Sequence, residues 1–232
     1  LVNGVSVLVA VWVVFRRAGP LVGLGAAVVF GLLAYAQGPA QLSDPVSSNM
    51  GGIPLLALAV LAWAVVVGDI RLLPLAALWF AWVFQQHLAV VAMASGTAAW
   101  AGVGVVVAVV GWHRGRRDGT PPWPWVGAAA ALTVVAWAPV LWDQFFGSGN
   151  LGRMFRFAGS SDRPALGWAS GLRQAARAFG PVPLLVRTDL TGGQVIAPLP
   201  LLGAVGALVV VAVLLAIAWI DRRRAPGRAL LA

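Results

Sequence analysis

The sequence predicts an all-α protein, a polytopic bundle of about seven transmembrane helices. Three observations predict it: the composition, the length of the apolar runs, and the alternation of charge between them. Hydrophobic residues make up 60% of the 232 and charged residues only 10%, with a mean hydropathy of +0.89. A soluble domain carries roughly 25% charged residues, so this chain lacks the polar surface that water requires. Runs such as "VGVVVAVV" do not alternate polar and apolar residues, which excludes the strands of an outer-membrane barrel.

A spanning helix needs about 20 apolar residues. The candidate spans are Leu1–Phe15, Pro20–Tyr35, Ile53–Val67, Leu72–Ala94, Thr97–Trp112, Val126–Trp142 and Leu199–Ile220. They form a single transmembrane domain over residues 1–232, expected to be a fragment because the chain opens inside an apolar run. The intervening segments alternate in charge. Arg16 and Arg17, "GDIR", "HRGRRD" and "DRRR" carry arginine, whereas Ala36–Gly52 and "SGT" have no basic residue. Arginine-bearing short loops are retained in the cytoplasm. The chain is therefore expected to cross a bacterial inner (plasma) membrane several times, with the two uncharged or acidic loops and the long segment Asp143–Pro198 outside.

Every basic residue is Arg, every acidic one is Asp, and cysteine is absent. Ala, Val, Gly and Arg dominate, as in a GC-rich bacterial genome. The net charge of +9 is read as topology-setting loops that meet anionic membrane lipid, with no nucleic-acid partner. Thiolate chemistry is excluded. No Gly-rich nucleotide loop, HExxH motif or Cys/His cluster occurs, so neither a metal nor a cofactor is expected.

Polar residues cluster toward one end of the spans. Within Leu72–Ala94, Gln85, Gln86 and His87 fall in the outer half of the membrane, where polar side chains face a bundle interior or an aqueous cavity. The next cluster lies in "WAPVLWDQFFGSGNLGRMFRF". There Pro139 frees the carbonyl of Val135 just before the exit, and Asp143 and Gln144 follow. Asn150 is expected to cap a short helix carrying Arg153 and Arg156, which are three apart and share a face. Farther on, Arg163 precedes a second amphipathic helix that suits the membrane interface. Guanidinium forks match phosphate, while interfacial anchoring accounts for the same arginines without a ligand. His87, Gln86, Asp143, Gln144, Asn150, Arg153, Arg156 and Arg163 are the candidate substrate-binding residues, with His87, Gln86, Asp143 and Gln144 expected around one water-accessible space.

Two segments resemble the actinobacterial polytopic glycosyltransferases of the GT-C superfamily. "IPLLALAVLAWAVVVGDIRLLPLAALWFAWVFQQHL" (Ile53–Leu88) and "WAPVLWDQFFGSGNLGRM" (Trp137–Met154) are similar to that family's "LPxxLxLAWA…LPL…QxHL" and "WxPPLxxQ…GxGNLxxL" patterns. "SNMGG" departs from the "NP"-type turn expected before the first. The resemblance implies sugar transfer from a polyprenyl-phosphate donor to a cell-envelope acceptor on the outer face. The family's catalytic carboxylate sits in the first outer loop, so its role is not carried over to Asp44 and the catalytic residue stays unknown. Two other classes remain open: a transporter or lipid flippase component, and a noncatalytic membrane assembly subunit.

Overall fold

A computed structural model describes residues 1–43, 51–115 and 121–160, together with the single positions Gly167, Ala169, Val209 and Ala212. Arg163, the second amphipathic helix and most of the expected span Leu199–Ile220 lie outside them. The described residues are helical, with no strand among them. The helices are α1 (Val2–Ala18), α2 (Pro20–Ser43), α3 (Gly52–Val66), α4 (Leu73–Gln86), α5 (Leu88–His113), α6 (Trp123–Phe146) and α7 (Asn150–Gly159), with a 3-10 turn at Ile70–Leu72 leading into α4. The chain divides into two compact units. One holds Leu1–Ala27 and Asp44–Ser161, and the other Val28–Ser43 and Asp162–Ala232. In the second unit, the described helix Val28–Ser43 is interrupted at Gly38 (φ 74°).

In the first unit α3 packs against α1, α4 and α5, and α4 packs against α5 and α6. Gly104 permits the α3–α5 approach, because a Cβ at that position would stand 2.8 Å from the Val66 Cα. Two hydrophobic clusters mark the ends of this bundle. At one end Val13, Leu61, Val65, Leu72 and Ala108 are buried together, with Trp125 packed on them. That cluster joins the C-terminal parts of α1, α3 and α5 to the N-terminal parts of α4 and α6. At the other end Leu58, Val83 and Ala94 are buried together, flanked by Phe80 and Val90.

The first end also carries charge. Arg16 Nη2 and Arg17 Nε lie 3.7 and 3.9 Å from Asp69 Oδ2, and Arg17 donates to the Val67 carbonyl. Asp69 is buried whereas Arg16 is half exposed. The arginines in the last turn of α1 and the "GDIR" turn thus meet at one end of the bundle. Trp79, packed against both clusters, donates its Nε1 hydrogen to the buried Ser6 hydroxyl at 3.1 Å, which ties α4 to α1.

Two helices are long and apolar enough to cross a membrane, Val90–His113 and Trp123–Phe146. Only 17% and 6% of their apolar windows are buried, whereas a helix in a soluble core would be mostly buried. Val134 and Val135 on α6 are each 68% exposed. Their surfaces suit a hydrocarbon solvent.

The structure corrects two expected boundaries. The fourth span does not run from Leu72 to Ala94: α4 ends at Gln86, His87 is extended (φ −156°, ψ 140°), and α5 begins at Leu88. "SGT" is therefore no loop but part of α5. Thr97 keeps its helical place by donating its hydroxyl to the Met93 carbonyl at 2.8 Å, and a glycine such as Gly96 costs a helix only about 1 kcal/mol. The stretch Ala36–Ser43, expected in an outer loop, belongs to α2.

Candidate functional site

The α6–α7 elbow is built by the last turn of α6. Gly147 ends the helix and donates its N–H to the Asp143 carbonyl, as does Gly149. The chain then reverses at Gly149, whose left-handed conformation (φ 66°, ψ 34°) a glycine adopts at little cost. α7 begins at once, with its first N–H groups lacking partners within the helix. Side chains from α6 supply them. Asp143 Oδ2 accepts the Asn150 N–H at 3.2 Å, and Gln144 Oε1 accepts the Gly152 N–H at 2.8 Å. Asp143 Oδ1 also accepts the Ser148 N–H at 3.0 Å, and the Ser148 hydroxyl lies 2.9 and 3.1 Å from the two carboxylate oxygens.

Asn150 is therefore not the cap. It is the first residue of α7, and the capping position belongs to Gly149. The reason is the elbow's tightness: Asp143 already occupies the place where a capping side chain would sit. The glycine spacing of "GSGNLG" follows from the same crowding. A Cβ at Gly147 would stand 2.6 Å from Asp143 Oδ1, and one at Gly152 would stand 3.3 Å from Gln144 Nε2.

Beneath α7 lies a cavity of about 260 Å³. Its walls come from α4 (Phe84, Gln85), α5 (Val91), α6 (Trp137, Pro139, Val140, Asp143) and α7 (Asn150, Leu151, Met154, Phe155). Positions 150, 151, 154 and 155 form one face of α7, as helical spacing requires. Arg153 and Arg156 occupy the opposite face and are exposed. Phe84 and Trp137 pack with ring centroids 5.2 Å apart, and Gln85 Nε2 donates to the Ala136 carbonyl at 3.2 Å. The first of these contacts joins the segments Ile53–Leu88 and Trp137–Met154 at the cavity wall, and the second ties α4 to α6 one residue earlier.

Of the residues expected around one space, Asp143 lines this cavity. Gln86, His87 and Gln144 are not among its lining residues. The break at His87 accounts for that residue, because α4 ends before it, and Gln144 is turned to the Gly152 N–H. Asn150 joins the wall as well. The sequence reading placed Gln85 in the same polar cluster but chose its neighbour Gln86 for the site. A single-residue step turns a helix by about 100°, and only the packing of α4 on α6 decides which of two adjacent glutamines faces inward. Ser148 was missed, since a serine in a Gly-Ser-Gly turn carries no distinctive signal.

Asp69 and Asp143 are the acidic residues among the described ones. Asp69 is engaged with Arg16 and Arg17, and Asp143 with the elbow. No group of three or more His, Cys, Asp or Glu suited to holding a metal ion occurs among the described residues. No family model, curated protein or solved structure matches this chain.

Proposed function

We propose that this chain is part of a polytopic, about seven-span glycosyltransferase of the bacterial inner membrane. In this reading it transfers a sugar from a polyprenyl-phosphate donor to a cell-envelope acceptor on the outer face. The observation that carries it is the cavity under α7. Its walls are mostly hydrocarbon and aromatic, as an isoprenoid chain requires, and Gln85, Asp143 and Asn150 add polar groups. The two segments similar to the GT-C glycosyltransferases build much of those walls. Arg153 and Arg156, on the face of α7 turned away from the cavity, supply positive charge for a phosphate headgroup lying outside it. The base that deprotonates the acceptor is not assigned to Asp143, whose carboxylate oxygens are taken up by Ser148 and Asn150. The test is binding of a radiolabelled polyprenyl phosphate by the full-length protein in liposomes. Val140→Trp, which fills the cavity, is expected to abolish binding without loss of membrane insertion. Undiminished binding by that variant would remove the basis of the reading.

The engagement of both described carboxylates also favours a second reading, a noncatalytic membrane assembly subunit. In that case the full-length protein retains its partners when V140W is introduced, and no sugar transfer accompanies it when purified. A transporter or lipid flippase, the third class, has no observation in the described residues that favours it.

A further inference from the structure

We propose that Asp143 and Gln144 are positioning residues: their side chains clasp the start of α7, fix its angle to α6, and thereby set the width of the cavity. The inference rests on reading that cavity as the site of a prenyl chain. Three observations lead to it.

First, the packing of α7 is one-sided. It packs on α6, while across the cavity from it stand Phe84 and Gln85 of α4 and Val91 of α5. A helix held at one end and facing a cavity is a flap, and its angle depends on what grips that end.

Second, the grip is polar and local. Asp143 holds Ser148 and the Asn150 N–H, and Gln144 holds the Gly152 N–H. Hydrogen bonds to a charged acceptor contribute more than neutral ones. The Asp143 and Gln144 bonds reach successive parts of the first turn of α7, at residues 150 and 152. Bonds at two points fix an orientation, whereas one would leave a pivot.

Third, the glycines at 147 and 149 add no side-chain restraint, and their N–H groups donate only to the Asp143 carbonyl. Gly149 in particular has a left-handed backbone in a residue type with wide conformational freedom. Without the clasp only those two backbone bonds would hold the elbow. Leu151, Met154 and Phe155 project from α7 into the cavity, so a change in its angle moves that whole wall.

The test uses the full-length protein in liposomes and exploits the absence of cysteine from this chain. Met93→Cys on α5 and Phe157→Cys on α7, at positions 63% and 76% exposed, carry nitroxide labels, and their separation is read by pulsed electron paramagnetic resonance. A narrow distribution is expected with Asp143 in place and a broad one in D143A. Affinity for farnesyl phosphate is expected to fall about tenfold in D143A, less in Q144A, and to be partly restored in D143N, whose amide oxygen still accepts. Thermal midpoint and membrane insertion are expected to stay within the wild-type range. Gly147→Ala, which drives a methyl group onto Asp143 Oδ1, is a second variant expected to broaden the distribution. An unchanged distribution in D143A overturns the clasp. So does a broadened one with undiminished farnesyl phosphate affinity. If the wild-type protein does not bind farnesyl phosphate at all, the functional reading fails, and the distance distributions decide the clasp on their own.

Discussion

Gly104 faces Val66 so closely that a single methyl group at position 104 would stand 2.8 Å from the Val66 Cα and 2.9 Å from its nitrogen. Backbone is what stands in the way, so no side-chain rotation can relieve the contact. Small residues serve this purpose between membrane helices, where close backbone approach replaces the hydrophobic drive that water provides. Gly104→Ala is therefore expected to destabilise the bundle by about 1–3 kcal/mol, and Gly104→Leu to prevent α3 and α5 from packing. Unfolding of the purified protein in detergent, followed by circular dichroism, measures the effect. An unchanged midpoint in G104A would contradict the α3–α5 geometry.

Asp69 joins the turn before α4 to the end of α1 through Arg16 and Arg17. The carboxylate is buried and the arginines are partly exposed, so solvent screens part of the attraction. Asp69→Ala is expected to cost about 1–2 kcal/mol, read from the same unfolding transition. Reversing the pair with Arg17→Asp should cost more, because two carboxylates would then face each other.

Topology has a direct test. Arg114 and Ser160 are both exposed and lie beyond opposite ends of α6. Single cysteines at each position, treated with a membrane-impermeant maleimide on intact cells, are expected to react at Ser160→Cys and not at Arg114→Cys. The reverse pattern would place the elbow in the cytoplasm and rule out an outer-face site.

The arginines of α7 separate phosphate recognition from anchoring. Replacing Arg153 and Arg156 with Lys keeps both charges but removes the planar fork. Polyprenyl-phosphate binding by the full-length protein is expected to weaken about tenfold while insertion is unchanged. Wild-type affinity in the double variant would assign these residues to the membrane interface alone.

Much of the bundle was legible because burial in lipid writes long apolar runs, and α3, α6 and the start of α5's C-terminal half follow them. The joint between α4 and α5 was not. "SGT" looks like a turn, yet the Thr97 hydroxyl satisfies the Met93 carbonyl within the helix, while the chain breaks at His87 instead. Composition reports which residues are polar, but not whether a hydroxyl turns back on its own helix. The site divides in the same way. Asp143 and Gln144 stood out as polar residues at the mouth of a span, but their bonds to residues 148–152 depend on an elbow angle that no spacing reveals. Asn150 looked like a cap by type, and its neighbour Gly149 took that place because Asp143 reaches the same N–H groups from outside.

The hydrogen bond from Gln85 to Ala136 has a consequence for the surrounding bilayer. It sets the end of α4 level with a point on α6 that lies ten residues before Phe146. At 1.5 Å per residue, α6 rises roughly 15 Å beyond the α4–α5 joint. The 14 residues of α4 themselves cover only about 21 Å, less than the ~30 Å hydrocarbon thickness. A membrane that matches α6 is too thick for α4. In the proposed membrane setting, lipid bordering the joint would shorten, tilt or give way to water, and the hydrocarbon layer would be thinnest beside the polar run of Gln85, Gln86 and His87.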